Sequence, residues 1–368
     1  MTHTGGLSYL DAAFRAIYPQ DAACRQQAEE RLAQLTMPHW ALGDLMDLAV
    51  DLAGMTRSLT PPVARKKVVV MVGDHGVVAE GVSHYPAEVT TQMVYNFIRG
   101  GAGINALARR AGAEVLVVDV GARDDFTDLT DVGAGLAGNC TGALIAKKIG
   151  HGTANIAQGP AMSRTHAVMA VEAGIEIAYH LAETTDVFAT GEMGIGNTTP
   201  SAAIAAVFTG RSVAELTGRG TGIDDQRLRR KIEIIEQALA INKPNAKDGL
   251  DVLAKVGGFE IGAIAGLIIG AAARRKPVIV DGLIAAAGAM VAVSLEPFVR
   301  DYLICGHRSA EPGHGALLEH LRRKPLLDLN LRLGEGTGAV LAMPLLDAAV
   351  AVLTEVATFA EAGVSGAG

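Results

Sequence analysis

Short apolar runs alternate along this chain with longer Ala-rich segments. Lys67–Val72 is continuously apolar after its first residue and mostly β-branched, and it ends at Gly73-Asp74-His75-Gly76. Val115–Gly121, Asp186–Glu192, Pro277–Gly282 and Tyr302–His307 have the same character. A sixth run, Asp328–Leu333, alternates Leu with polar residues before breaking into Gly334-Glu335-Gly336-Thr337-Gly338. Runs of this length bounded by glycine predict strands. Strands apolar throughout, with helical segments between them, predict an α/β fold with a parallel sheet of about six strands covered on both faces by helices.

The ends of the chain differ. Leu7–Ile17, Asp21–Leu35 and Ala41–Met55 place apolar residues three and four apart, with Pro19 and Pro38-His39-Trp40 between them, and so predict three short helices. Pro61-Pro62 marks a boundary. Pro344–Ala362 predicts a last helix, and Gly363–Gly368 a frayed tail. The expected organisation is a small helical domain from residues 1–60 and 340–368 beside a large domain over 61–339. The 368 residues are enough for one large domain or two.

Composition narrows the function. Hydrophobic residues make up 49% but aromatics only 4%, the net charge is −7, and no basic run exceeds three residues, which argues against a nucleic-acid partner. Ile261–Ala273 and Leu283–Leu295 fall short of the roughly 20 residues that cross a bilayer, so buried helices and no membrane are expected. Residues 1–6 lack a basic region followed by an apolar run, so a cytoplasmic protein is expected. Cys24, Cys140 and Cys305 are too few and too scattered for a disulfide framework.

Ligands in open α/β sheets bind at the carboxyl ends of the strands. Those positions carry Asp74-His75, Asp119, Glu192, Asp281, His307 and Glu335. One such group alone is more often a cap; six on one rim favour a small-molecule site. Two glycine-rich loops, Gly191–Pro200 and Thr217–Gly222, lead into helices near Ser201 and Asp224. Free N–H groups at a helix start favour phosphate, although Asn197, Thr198 or Thr199 could be a plain N-cap. Glu192 and Glu335 form a possible acid/base pair. Lys231 could hold a carboxylate charge, but Arg229-Arg230-Lys231 reads better as a solvated helix face.

Several motifs are decoys. Gly133-Ala134-Gly135-Leu136-Ala137-Gly138 matches a dinucleotide fingerprint but follows no clear strand, and Gly101-Ala102-Gly103-Ile104-Asn105-Ala106 follows a helical stretch. The histidines show no metal-ligand spacing. Cys305-Gly306-His307 reads as a buried strand cysteine sooner than a reactive pair.

The ordered set of motifs resembles the nicotinate mononucleotide:dimethylbenzimidazole phosphoribosyltransferase family. It comprises Gly73–Gly76, Ser83–Met93, Gly100–Asn105, Gly152–Asn155, Gly191–Thr199, Thr217–Gly222, Asp281-Gly282, Gly306–His314 and Leu331–Gly338. The likeness runs from about residue 20 to about 365. It implies a Rossmann-like sheet with a small helical domain, and transfer of phosphoribose from nicotinate mononucleotide to a benzimidazole. No cofactor and no metal is implied. Glu335 falls on the family's base, and Glu192 and Lys231 on active-site positions. Ser83, Gln92, Met193 and Leu333 fall on the acceptor pocket. Gly194, Thr198, Gly220, Thr221, Asp281, Ser309 and Arg332 fall near the nucleotide or its phosphate. A homodimer, acting on small molecules, is implied as well. The same fold phosphoribosylating another base or a phenol, or a nicotinamide-dependent oxidoreductase, are the alternative expectations.

Overall fold

A computed structural model describes residues 8–129 and 144–365. Seven strands form one parallel sheet: β1 (Lys66–Gly73), β2 (Ala113–Gly121), β3 (Leu144–Ala146), β4 (Val187–Met193), β5 (Val278–Val280), β6 (Leu303–Ser309) and β7 (Pro325–Leu331). Their order is β3-β2-β1-β4-β5-β6-β7. All the described pairings are parallel. This is one strand more than the apolar runs suggested. β3 is three residues long and lies at an edge, so it is too short to show as a run. The Gly133–Gly138 motif and Cys140 lie outside the described residues.

The strand order reverses direction between β1 and β4, which places a topological switch point at the centre of the sheet. Met71 pairs with Glu192 and Val72 with Met193 across that seam, so the carboxyl ends of β1 and β4 meet there. Every residue of β1 is buried, which explains its unbroken Val and Met. Helices cover the sheet. Phe259–Ala273 packs on Arg164–Leu181, and Leu283–Leu295 packs on Phe259–Ala273. Both apolar segments read from the sequence as buried helices are almost wholly buried.

The last long helix differs from its sequence reading. It runs Thr337–Glu355, with Pro344 inside it, and a separate short helix covers Phe359–Ala362. Pro344, the start predicted from the sequence, lies in the second turn. By length and composition this is the one helix among the described residues that could cross a membrane, but half of it is buried. It packs against the Asp44–Thr56 and Gly103–Ala111 helices and against β6. Its Asp347 pairs with Lys66 of β1 at 2.7 Å.

The two ends of the chain meet. Leu35 and Thr358 form an antiparallel bridge. Thr36 donates its N–H to the Ala357 carbonyl at 3.0 Å, and Phe359 to that of Gln34 at 2.9 Å. Arg31 Nε donates to the Leu353 carbonyl at 2.8 Å. The Tyr9–Ala16 helix instead packs on Arg164–Leu181 and Phe259–Ala273.

Candidate active site

A cavity of about 490 Å³ opens over the switch point. It is lined by Glu192, Met193, Gly194, Thr198, Gly220, Thr221, Ser309, Arg332, Leu333 and Glu335, all read from the sequence as site residues. β4 delivers Glu192 and Met193, β6 delivers Ser309, and the turn after β7 delivers Leu333 to Glu335.

That turn has an unusual backbone. Gly334, Glu335 and Gly336 are consecutive left-handed residues, at φ 82°, 63° and 96°. A side chain at Gly334 would place its Cβ 2.2 Å from Glu192 Oε1. Glycine is therefore required where the two acids approach. Glu335, which has a Cβ, carries a strain cost of about 1–2 kcal/mol. The Glu335 main-chain N–H donates to Glu192 Oε1 at 3.2 Å, and Asn197 Nδ2 donates to Glu192 Oε2. Burial, with the Asp281 charge adding, pushes the Glu192 carboxyl up to about 8. Burial also raises Glu335, opposed by the Ile104 N–H, which reaches Glu335 Oε2 at 2.9 Å. Burial thus raises both carboxyls, so each binds a proton more tightly than an exposed one would.

A second group of residues gathers around Gly220. Lys231 is not on a solvated face; only 1% of it is exposed. Its Nζ donates to Thr198 Oγ1 at 2.7 Å and to the Gly218 carbonyl at 3.3 Å. The helical spacing that put it beside Arg229 and Arg230 turns it inward, against the other glycine loop. Burial brings its ammonium down to about 8, against the pull of Glu311. Lys231 thus lies behind the loop and joins the two glycine-rich segments.

Asp281 also lies behind the cavity. Its carboxylate accepts N–H groups from Gly336 at 3.2 Å and Ala339 at 2.9 Å, and it caps the start of the Thr337–Glu355 helix. His307 Nε2 is 3.5 Å away. Ser83 and Gln92 do not line the cavity. The Ser83 hydroxyl accepts the Tyr85 N–H at 3.3 Å, and Gln92 is exposed. Their neighbours Tyr85, Val89 and Met93 form that apolar wall instead.

Glu311 was not singled out in the sequence, because it reads as a helix cap before Pro312. It lines the cavity, and its Oε1 accepts the Gly220 N–H at 2.9 Å. Oε2 is buried without a partner. In this state a carboxylate occupies a donor of the loop expected to seat phosphate. Asn197 and His307 line the cavity as well, so Asn197 is more than the N-cap its local sequence suggests. His314 sits behind Ser309. Its Nδ1 accepts the Ser309 N–H at 2.9 Å, so Nε2 carries the hydrogen. Burial, with His307 and Arg308 adding, pushes it down to about 3, and the ring stays neutral. Cys305 is buried and its thiol is pushed up to about 12 by burial, so it is inert.

The arrangement offers an apolar slot at Met193, Leu333, Val89 and Met93, a carboxylate pair beside it, and a hydroxyl- and amide-rich end at Thr198, Gly220, Thr221 and Ser309. Such a site can hold a flat aromatic group near a base, and an anion further along.

Known proteins share this architecture and sequence. Residues 17–364 match the sequence profile of a family described as phosphoribosyltransferase. A protein of Desulfotalea psychrophila named nicotinate-nucleotide–dimethylbenzimidazole phosphoribosyltransferase is 59% identical over 360 residues, covering 98% of this chain and 99% of its own. A protein of the same name from Syntrophotalea carbinolica is 56% identical over 359 residues, with the same coverage. A crystal structure under that name from Thermus thermophilus superposes with a TM-score of 0.86 at 46% identity, covering 94% of this chain and 100% of that one. With the sheet, the switch-point cavity and the sequence in agreement, the chain belongs to the phosphoribosyltransferase family.

Proposed function

We propose that this enzyme transfers the phosphoribosyl group of nicotinate mononucleotide to dimethylbenzimidazole, giving α-ribazole 5′-phosphate and nicotinate. The observation that carries this reading is the buried Glu335 carboxylate in a cavity that also holds an apolar slot and the Gly220 loop. The names of the relatives support it. The glycosidic C1′–N bond of the mononucleotide breaks, and nicotinate departs as a neutral pyridine nitrogen. Oxocarbenium character develops at C1′, which the Glu335 carboxylate stabilises electrostatically, while Glu192, protonated below about pH 8, holds the Glu335 main chain. One acceptor nitrogen attacks C1′ from the opposite face, inverting β to α. Glu335 takes the proton from the other nitrogen. A general base contributes about 10²–10⁴-fold, and burial makes this carboxylate a stronger base than an exposed one.

In the same reading, Met193 and Leu333 flank the acceptor, with Tyr85, Val89 and Met93 closing the apolar wall. Gly194, Thr198, Gly220, Thr221 and Ser309 take the nucleotide and its phosphate, and Arg332 borders it. Lys231 and Asp281 act from behind, through the loops they hold. The enzyme works as a cytoplasmic homodimer, with a small helical domain from residues 1–60 and 340–368, a division that the Leu35–Thr358 bridge between the chain ends supports. The test is incubation with both substrates and chromatographic detection of the α-riboside phosphate. Absence of nicotinate release would overturn the assignment. A panel of benzimidazoles, adenine and phenols then sets the acceptor class.

A further inference from the structure

The fold treats the two oxygens of Glu335 differently. Oε2 accepts the main-chain N–H of Ile104 at 2.9 Å in a buried contact. Ile104 is the second residue of the Gly103–Ala111 helix. Its N–H is one of those that a helix start leaves without an intrahelical partner. No other hydrogen bond to this carboxylate is made among the described residues, and Glu335 lines the cavity. Oε1 is thus the oxygen left for a ligand.

This contact depends on Gly103. A Cβ there would stand 3.3 Å from Glu335 Oε2 and 2.9 Å from Leu333 Cδ2. It also depends on Asn105, which is itself buried. Asn105 Oδ1 accepts the Ala102 N–H at 3.1 Å, and Nδ2 donates to the Phe97 carbonyl at 3.2 Å. These two bonds pin the helix start to the end of the preceding helix, Glu88–Ile98. The glycine-rich segment that imitates a dinucleotide fingerprint thereby acquires another use: it brings a helix start within bonding distance of the acid.

We infer that Gly103, Ile104 and Asn105 form a positioning element for the base, which immobilises Oε2 so that Oε1 alone receives the acceptor's proton. The inference rests on Glu335 being the base. The helix start has a second effect. Its N–H and its positive end both favour the ionised carboxylate, against the burial that disfavours it. A base that must be ionised to work is in this way kept available inside an apolar slot.

The test compares Gly103→Ala, Asn105→Ala and Asn105→Asp with Glu335→Gln, measuring kcat and KM for both substrates across pH. In Gly103→Ala the methyl group meets Leu333 Cδ2 at 2.9 Å and stands 3.3 Å from Oε2, so Oε2 must give by a few tenths of an ångström beside the Ile104 N–H. The expected result is a fall in kcat of about 10–100-fold, the size of effect that misplacing a catalytic group produces. KM for nicotinate mononucleotide stays nearly constant, and the acid limb of the kcat profile moves to higher pH. Asn105→Ala gives the same signature more weakly. Asn105→Asp, which keeps an acceptor for Ala102, recovers part of it. Loss of activity with an unmoved acid limb in both Gly103→Ala and Asn105→Ala would overturn the inference, because a merely structural role has no reason to shift it. Wild-type turnover in Gly103→Ala would do the same. Wild-type turnover in Glu335→Gln would instead remove the premise, and it is read independently of the Gly103 and Asn105 variants.

Discussion

The main-chain N–H of Glu335 donates to Oε1 of Glu192 at 3.2 Å, so one acid of the pair holds the backbone of the other. The side chain of Glu335 is free of that bond. Replacing Glu335 by Gln therefore leaves the turn in place and removes the base. Turnover should fall by about 10²–10⁴-fold, with nicotinate mononucleotide still binding in a calorimetric titration. Near-wild-type turnover with intact binding would sink the base assignment.

Glu192 should make stability depend on pH. Its carboxyl titrates near 8 in the fold against an ordinary 4.5. Between those values the folded protein keeps a proton that the unfolded chain has released. This contribution to stability is full below the lower value and lost as pH rises through the higher one. Melting temperature should decline across that window, and the decline should be shallower in Glu192→Gln. Parallel curves for the two proteins would contradict the assignment.

For Lys231 the window is different. Its ammonium titrates near 8 in the fold against an ordinary 10.5. Between those values the unfolded chain binds more protons, so this group's contribution grows as pH rises through the window. Lys231→Met removes the buried charge and should raise stability at neutral pH by about 1–2 kcal/mol. It also frees the Thr198 hydroxyl and the loop above it, so the KM for the mononucleotide should rise. A Met variant less stable than wild type at neutral pH would show that the lysine's hydrogen bonds outweigh its desolvation.

Glu311 holds the Gly220 N–H at 2.9 Å, beside the seat proposed for phosphate. Glu311→Gln keeps an acceptor and removes a negative charge. The KM for nicotinate mononucleotide should drop about fivefold, for a repulsion of about 1 kcal/mol. The effect should shrink at high salt. A raised KM would mean that the charge itself orders the loop.

Asp281→Asn keeps the shape of the helix cap and weakens its two bonds to Gly336 and Ala339. Stability should fall by about 1 kcal/mol. The fall in kcat should exceed any change in KM, because the cap supports the turn that carries Glu335. A selective rise in KM would return Asp281 to direct nucleotide contact.

Much of the site was legible because strand ends are. Glycine after an apolar run identified β4 and the turn after β7, and with them Glu192 and Glu335. Lys231 was misread because local charge runs report a helix face only when nothing packs on it; here the other glycine loop does. Glu311 was hidden by its own helix start, since a Glu before Pro312 has an ordinary local explanation. Pro344 stood for a boundary because proline usually is one, yet the helix begins seven residues earlier, at the capped turn. β3 left no trace, since three edge residues make no pattern. Ser83 and Gln92 came from resemblance alone, and the cavity wall formed by their neighbours would not have singled them out.

The Thr337–Glu355 helix spans about 28 Å, at 1.5 Å per residue. Asp281 grips its first turn, and at its other end Arg31 reaches the Leu353 carbonyl. Between these two holds, Lys66 of β1 grips Asp347 at 2.7 Å. The helix is therefore a strut clamped at both ends and in the middle, and it ties the chain-end helices rigidly to the turn that carries Glu335.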